Sequence, residues 1–324
     1  MQRTLGFAGL VLAAGAAIAQ PAITTLQPGA GPAPIDRTTQ TEDIGFKTDR
    51  TDRMTVPVLV SGSGPYRFLV DTGADRTAVS RELAGRLKLA AAESASVHSI
   101  SGVSTVSTAT VPAIQLTKKE IRNINAPLLE SSNMGADGIL GTDSLRSQRI
   151  LFDFQANSLS IVPAATPDFR VERGTIVIQG ARRNGRLVVT EATANGRPVT
   201  VVIDTGSQVS IGNAALRKAL LGAKLLKGSD QVELISVTGD RIMGEYMFVK
   251  ELEIGGVGMK DLAVIFADAH TFKQLGLDKK PAILLGMNAM RSFKKVSIDF
   301  ANRRLRVVVP EESSLDVKLA ARLR

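Results

Sequence analysis

Two stretches of the chain have the apolar pattern of β-strands and then run directly into the same three residues, Asp-Thr-Gly. The first is RFLVDTGA at 67–74 and the second is VTVVIDTGS at 199–207. Each follows another apolar stretch and a turn, which in the second copy is Asn195-Gly196, a favoured two-residue hairpin turn. The pattern therefore predicts strand, turn, strand and acidic loop, and it predicts this unit twice.

A short amphipathic segment follows each acidic loop and predicts a helix. The segments are SRELAGRLKL at 80–89 and NAALRKALL at 213–221. Ser80 and Asn213 stand at their starts, where a side-chain oxygen caps free backbone N–H groups.

Three more pairs of matched segments follow in the same order. The first pair consists of polar hairpin tips centred on Gly102 and Gly239. The second consists of segments with an apolar-apolar-Gly motif, at 136–147 and 281–292. The third consists of the strand that closes each half, at 150–163 and 295–310. Repeats of this kind decide an architecture. The order predicts a tandem duplication of one all-β lobe with short helices, the two copies being related by a pseudo-twofold axis.

The ends of the chain have a different composition from this repeat. Residues 1–19 combine Arg3, an uncharged apolar run and a small-residue exit, which is typical of a secretory signal peptide cleaved before Gln20. The alternative, an uncleaved anchor, needs about 20 apolar residues, and this run is shorter. The predicted organisation is signal peptide 1–19, linker or inhibitory pro-segment 20–43, N-terminal lobe 44–165, C-terminal lobe 166–310 and a tail at 311–324 with a short amphipathic helix.

Composition narrows the classes of function. The 324 residues are 44% hydrophobic, which is enough for a sizeable core, and they contain no cysteine. An exported protein without disulfides is stabilised by core burial, which favours a periplasmic location, with secretion as the alternative. The formal charge of +9 is scattered and there is no tryptophan, so nucleic-acid binding is not expected. No residues have metal-ligand spacing, and we expect a monomer without cofactor or metal.

The two acidic loops and the segments behind them resemble the aspartic protease superfamily. The likeness is to the retropepsin-like lobe, duplicated here in one chain as in two-lobed pepsin-type enzymes and exported bacterial proteases. It rests on Asp71-Thr72-Gly73-Ala74 with Ile139-Leu140-Gly141, and on Asp204-Thr205-Gly206-Ser207 with Leu284-Leu285-Gly286. The resemblance covers roughly residues 44–310.

A twofold arrangement brings the two acids together, and this has a chemical consequence. Two adjacent carboxylates share a proton, so one member accepts a proton from water while the other polarises a peptide carbonyl. Asp71 and Asp204 are the predicted catalytic residues. The resemblance further implies that the Thr72 and Thr205 hydroxyls bond across to the opposite lobe, and that Gly73 and Gly206 allow backbone to approach the acids.

The resemblance also implies two substrate-binding flaps. Their predicted tip residues are Ser101 and Gly102 in the first lobe, and Thr238 and Gly239 in the second. They would close over a peptide or protein substrate in extended conformation. Neither tip carries a tyrosine, so the flaps look retropepsin-like.

The two acidic loops differ at one position. Ser207 follows the second loop and could donate a hydrogen bond to Asp204, whereas Ala74 follows the first and has no hydroxyl. This predicts that Asp204 is the more acidic member of the pair. The two histidines, His98 and His270, fall in no matched feature. His98 lies just before the first flap tip and is interpreted as a surface polar residue, with contact to substrate as the alternative.

Three classes of function remain. The first is an exported aspartic endopeptidase, and the second is a catalytically silent peptide-binding module with the same fold. The third, a structural envelope protein, leaves the twin acids without a purpose. Because both acids are present, the sequence favours the enzyme.

Overall fold

A computed structural model of the chain describes residues 54–116, 119–166, 172–222 and 230–310, together with five short strands within residues 1–53. Most of the predicted signal peptide and linker, and all of the predicted tail at 311–324, lie outside the described residues. In the part of the chain described here, no helix is both long and apolar enough to cross a bilayer.

The first half of the chain is mainly strands, with three short helices. The N-terminal strands are β1 (Thr4–Gly6), β2 (Leu12–Ala13), β3 (Leu26–Pro28), β4 (Asp43–Gly45) and β5 (Lys47–Thr48). The strands that follow are β6 (Met54–Val60), β7 (Ser63–Val70), β8 (Ala78–Ser80), β9 (Ala90–His98), β10 (Val103–Leu116), β11 (Lys119–Leu129), β12 (Gly138–Leu140), β13 (Gln148–Asp153) and β14 (Ser158–Pro163). The helices are α1 (Arg81–Arg86), α2 (Ser131–Met134) and α3 (Thr142–Leu145).

The second half repeats this composition. Its strands are β15 (Thr175–Gln179), β16 (Ala181–Arg183), β17 (Arg186–Val189), β18 (Ala192–Ala194), β19 (Arg197–Pro198), β20 (Thr200–Ile203), β21 (Ser210–Gly212), β22 (Asp230–Ile235), β23 (Arg241–Ile254), β24 (Val257–Phe266), β25 (Ala282–Leu285), β26 (Lys295–Asp299) and β27 (Arg304–Val308). Its helices are α4 (Ala214–Gly222), α5 (His270–Gln274) and α6 (Met287–Met290). The predicted all-β class is confirmed.

Each lobe is built on one large sheet, and the strand that leads into the acidic loop is the third from one end of that sheet's main path. The first sheet has the order β1-β9-β10-β11-β8-β12-β7-β6-β5, and the main path of the second is β16-β17-β20-β25-β21-β24-β23-β18-β19. In both, the strand before the acid pairs in parallel with the apolar-apolar-Gly strand: β7 with β12, and β20 with β25. A late strand is thus inserted beside the acidic loop in both lobes.

Local signals of the sequence are reproduced closely. The Ser80 hydroxyl accepts from the Leu83 N–H at 3.0 Å, and the Asn213 side chain accepts from the Leu216 N–H at 2.8 Å, so both predicted caps are confirmed. Asn195 and Gly196 both have positive φ, 48° and 74°, as a tight hairpin turn requires.

The closing segments differ from the prediction of one strand each. Each forms a hairpin, β13 with β14 and β26 with β27, because both contain a turn in mid-segment. The hairpins pair with each other through β13 and β26, giving a six-stranded sheet of order β15-β27-β26-β13-β14-β4. Strands of both halves therefore form one sheet, and Ile150 and Ile298 are completely buried there.

Candidate active site

The two acids occupy equivalent positions, each directly after the strand that is third from one end of its sheet. Asp71 follows β7 and Asp204 follows β20, and both side chains are completely buried. Their backbone N–H groups donate to Leu140 and Leu285 respectively, each at 3.0 Å. The inserted strands therefore fix where each acidic loop begins.

Two threonines join the loops across the interface between the lobes. The Thr72 hydroxyl donates to the Ile203 carbonyl at 2.9 Å and accepts from the Thr205 N–H at 3.0 Å. The Thr205 hydroxyl donates to the Val70 carbonyl at 2.7 Å and accepts from the Thr72 N–H at 3.1 Å. All four bonds are buried, so the two loops form one rigid unit.

The glycines of the loops lie directly against the opposite acid. A Cβ atom on Gly73 would come within 2.5 Å of Asp204 Oδ1, and one on Gly206 would overlap the Asp71 carboxyl. No side chain fits in either place. Each loop therefore presents bare backbone to the other lobe's carboxyl group, and this holds the two acids as neighbours.

The carboxyl groups have different hydrogen-bond partners. Asp71 Oδ1 accepts from the N–H groups of Gly73 and Ala74, at 2.8 and 3.0 Å. Asp204 Oδ1 accepts from the Gly206 N–H at 3.1 Å. Burial raises the pKa of Asp204 well above its usual value, and the neighbouring charge of Asp71 raises it further. One proton shared by the pair is the physical result.

The Ser207 hydroxyl does not make the hydrogen bond to Asp204 on which the prediction of a more acidic Asp204 depended. The Ser207 hydroxyl donates to the Val209 carbonyl at 2.7 Å rather than to the carboxylate. The turn after the loop folds back and offers this nearer acceptor. Without that donor, burial and the charge of Asp71 raise the pKa of Asp204, which favours its protonated form.

The predicted flap tips are the turns of two hairpins, one in each lobe. The β9–β10 hairpin turns at residues 99–102 and the β22–β23 hairpin at residues 236–240. Gly102 and Gly239 have φ values of 151° and 90°, a region that favours glycine. Ser101 and Thr238 stand just before them, and both are partly exposed.

Each tip inserts an apolar side chain into the opposite lobe. Ile100 is completely buried in a cluster of second-lobe residues that includes Phe272 and Leu284. Val237 is completely buried in a cluster of first-lobe residues that includes Leu69 and Ile139. The flaps are therefore closed, and each one is anchored in the core of the lobe that it does not belong to.

The sequence analysis missed these two anchors. The signal was available, because aligning the repeats at Gly102 and Gly239 places Ile100 and Val237 in equivalent positions between polar neighbours. An apolar residue repeated at the centre of a polar tip has no reason to be there unless it packs against something.

The tips also contact each other through hydroxyl groups. The Thr238 hydroxyl donates to Asp240 Oδ2 at 2.7 Å, and the Ser101 and Ser104 hydroxyls lie 3.4 Å from the same oxygen. Asp240 thus accepts hydrogen bonds from both flaps, and it has no acidic counterpart in the first tip, where Val103 stands.

His98 is partly exposed, as a surface polar residue would be, but it also contacts the second lobe, which was not predicted. His98 Nδ1 lies 2.9 Å from His270 Nε2, and the half-buried rings stack. His98 belongs to the first flap and His270 begins α5 of the second lobe, where its N–H donates to the Ile100 carbonyl at 2.7 Å. Burial lowers the pKa of both imidazoles, and the charge of His270 further lowers that of His98.

Arg186 is the other residue near the site that the sequence analysis did not single out. It begins β17 of the second lobe, its side chain is completely buried, and its Nε–H donates to the Gly73 carbonyl in the first lobe at 2.8 Å. A terminal nitrogen lies 3.1 Å from Asp75 Oδ1. The sequence signal is weak, since one arginine at the start of a strand is ordinary.

Among the described residues, no cluster of three or more histidines or acids could hold a metal ion.

Comparison with protein-family models finds a match in each half of the chain. Residues 56–147 match the model described as "gag-polyprotein putative aspartyl protease", and residues 190–289 match the model described as "Aspartyl protease". Each match contains one of the two acidic loops, the hairpin with the predicted flap tip and the strand inserted beside the loop.

Comparison with solved structures finds the aspartic proteinase from Irpex lacteus among the similar proteins. The identity is 14%, the TM-score is 0.47, and the alignment covers 85% of this chain and 99% of that one. A search of curated proteins found no match.

Proposed function

The chain is a two-lobed member of the aspartic protease superfamily, and from this premise we propose that it is an endopeptidase. In the proposed reaction, a water molecule held between Asp71 and Asp204 attacks the carbonyl of a peptide bond. The observation that supports this most directly is the cross-lobe joining of the two loops, with both acids buried against the opposite glycine.

The proposed mechanism assigns a different task to each acid. Asp71 is ionised and accepts a proton from the water as it attacks. Asp204 is protonated and donates a hydrogen bond to the carbonyl oxygen, which becomes the hydroxyl of a tetrahedral intermediate. The intermediate collapses when the proton on Asp71 passes to the departing amine and the intermediate hydroxyl returns its proton to Asp204. Atoms and charge balance, and no covalent bond to the protein forms.

The pairing of the N-terminal strands supports an extended substrate. Strand β1 pairs in parallel with β9 of the first flap, and β2 pairs antiparallel with β22 of the second. Because a pseudo-twofold axis relates the flaps, a single strand crossing both must be parallel to one and antiparallel to the other. The edges of both flap hairpins thus accept one extended segment, which is how a peptide substrate would bind.

The direct test is cleavage of a denatured protein and a peptide library between about pH 4 and 8. Asp71→Asn and Asp204→Asn should each lose essentially all turnover, because an acid–base pair works as a unit. Asp261→Asn is the matched control: this exposed aspartate has a φ of 53°, a conformation that asparagine also adopts, and its variant should remain active. Peptide binding by the wild type without any cleavage would contradict the proposal and favour the binding module.

We also propose that the protein is exported to the periplasm and cleaved before Gln20. The composition of residues 1–19 supports this, and removal of that segment would free the flap edges with which β1 and β2 pair. Cell fractionation with N-terminal sequencing tests it, and we expect a mature chain that starts at Gln20. Replacing Ala19 by Asp should block cleavage, while Ala8→Ser should not. A cytoplasmic protein with an intact N-terminus would contradict the proposal.

A further inference from the structure

Arg186 is a charged side chain in an unusually costly position. Among the residues that the structure describes, it is the largest completely buried side chain, and it crosses from the second lobe to the loop that carries Asp71. Burying a guanidinium costs several kcal/mol unless its charge is compensated, and an ion pair is often no better than apolar packing. Its compensation comes from two first-lobe groups, the Gly73 carbonyl and the Asp75 carboxyl.

The carbonyl that accepts from Arg186 belongs to the peptide unit that holds Asp71. The Gly73 C=O and the Ala74 N–H are the two ends of one peptide group. The first accepts from the Arg186 Nε–H at 2.8 Å, and the second donates to Asp71 Oδ1 at 3.0 Å. Hydrogen bonds in such a chain polarise one another, so the cation at one end strengthens the bond to the carboxylate at the other.

The second acidic loop differs from the first at the position that pairs with Arg186. Gln208 stands where the first lobe has Asp75, so the anion that holds the guanidinium is present on one side only. The Ser207 hydroxyl donates to Val209 and leaves the neighbouring carboxyl to its backbone donors. Within the described part of the chain, the guanidinium of Arg186 therefore contacts only the loop that carries Asp71 through an ion pair, namely the one with Asp75.

We propose that Arg186 is a positioning residue that determines which acid of the pair is ionised, holding Asp71 as the carboxylate and leaving the shared proton on Asp204. This proposal rests on the proposed function, and it explains why one acid is ionised while the other is protonated. Arg186 does not touch the reacting atoms and acts through the Gly73–Ala74 peptide group.

The pKa directions show that burial outweighs the direct effect of Arg186 on Asp204, which by itself opposes protonation of that acid. Burial and the charge of Asp71 raise the pKa of Asp204, while Arg186 lowers it to a smaller extent. Burial raises the pKa of Asp75 to about 6, Asp143 also raises it, and Arg186 and Arg76 oppose this rise. Below about pH 6 the Asp75 carboxyl is therefore protonated, and the charge of Arg186 acts on the Gly73 carbonyl without a competing anion.

The test compares the acid limb of the pH profile of kcat/KM for peptide cleavage in four variants. In Arg186→Met the limb should move to higher pH by about one unit, since a nearby cation lowers a carboxyl pKa by 1–3 units. One pH unit below the wild-type limb, this is about a tenfold loss. Arg186→Lys keeps the positive charge but lacks the planar guanidinium, so its acid limb should shift by less than that of Arg186→Met. If Arg186→Met does not fold, the lysine variant still allows the proposal to be tested.

Two further variants separate this role from a structural one. Asp75→Asn breaks the same ion pair but keeps the Arg186–Gly73 bond, and it should leave the acid limb in place because Asp75 is already protonated there. Arg182→Met removes an exposed arginine from the neighbouring strand and should change nothing. An unmoved limb in Arg186→Met, or equal shifts in Arg186→Met and Asp75→Asn, would overturn the proposal.

A titration of the carboxyl groups by ¹³C NMR makes the test independent of catalysis. The first group of the pair to ionise should be absent from the spectrum of Asp71→Asn, and its pKa should rise in Arg186→Met. If the wild type cleaves no peptide but shows these changes, the proposed function fails and the role of Arg186 stands. If the first group to ionise is instead lost in Asp204→Asn, the role of Arg186 fails.

Discussion

At the residue scale, the site depends on the absence of side chains as much as on their presence. Gly73 and Gly206 provide space that the opposite carboxyl group fills completely. The sequence pointed to both glycines through the repeated Asp-Thr-Gly. It could not show that each glycine lies against the acid of the other lobe, because that contact joins residues more than 130 positions apart.

Adding one methyl group to this contact should disable the site. In Gly206→Ala the new Cβ overlaps the Asp71 carboxyl, so the acid must move. A displacement of about 1 Å costs on the order of 100-fold in rate, and overpacking a tight contact costs about 1–3 kcal/mol of stability. Peptide cleavage and thermal unfolding measure the two effects.

The control is Gly85→Ala. Gly85 lies in α1 with no atom within 4 Å of an added Cβ, so alanine should keep full activity and stabilise the helix slightly. If Gly206→Ala cleaved peptides as fast as Gly85→Ala, the close approach of the loops would have no catalytic importance.

At the element scale, helix starts and hairpin turns followed from local signals, and the closing segments did not. Ser80 and Asn213 cap helices through bonds to residues three positions away, which a short sequence window contains. The closing segments were predicted as single strands because their turns carry no strong turn signal. Their pairing into one six-stranded sheet depends on contacts between the two halves, such as β13 with β26.

The flaps show the same division. Their hairpins and glycine-containing tips were predicted from the matched polar segments, but their closure depends on Ile100 and Val237 entering the opposite lobe. An apolar side chain at a tip has no local partner, and only the packing of one lobe on the other provides one. The role of the flaps in binding substrate remains a prediction.

At the scale of the whole molecule, charged and polar groups join the two halves near the site. Arg186 crosses from the second lobe to the first, and the His98–His270 contact joins the first flap to α5. Both contacts contain groups whose charge matters, so the closed arrangement depends on pH. The lobe boundary at residues 165 and 166 remains a prediction.

The histidine contact should make the folded protein less stable as pH falls. Burial lowers the pKa of both imidazoles. The charges of His270 and Arg186 lower the pKa of His98 further. The charge of Lys273 lowers the pKa of His270 further, and the charge of Asp268 opposes this. A lowered pKa means that the unfolded chain binds protons which the folded chain binds less readily. The stabilisation is therefore present above about pH 6.5 and is lost as pH falls below it.

The measurement is the free energy of unfolding at pH 7.5 and pH 5 for the wild type and for His98→Gln/His270→Gln. The wild type should lose about 0.5 kcal/mol more than the variant, a small figure because both rings are partly exposed to solvent. Other groups, including Asp75, titrate equally in both proteins, so their contributions to the free energy of unfolding cancel when the wild type and the variant are compared. An equal loss in both proteins would show that the pair does not respond to pH.

The sequence by itself determined the duplicated lobe, the all-β class, the family and the identity of the two acids. Each of these depends on local patterns that occur twice in the same order, and repetition separates them from chance. The tertiary structure alone decided the acceptor of the Ser207 hydroxyl, the partners of Ile100, Val237 and His98, and the position of Arg186 against the Gly73 carbonyl. These features arise where the two lobes meet or where a turn folds back on itself, and the geometry of such contacts is set by packing in three dimensions rather than by neighbours along the chain.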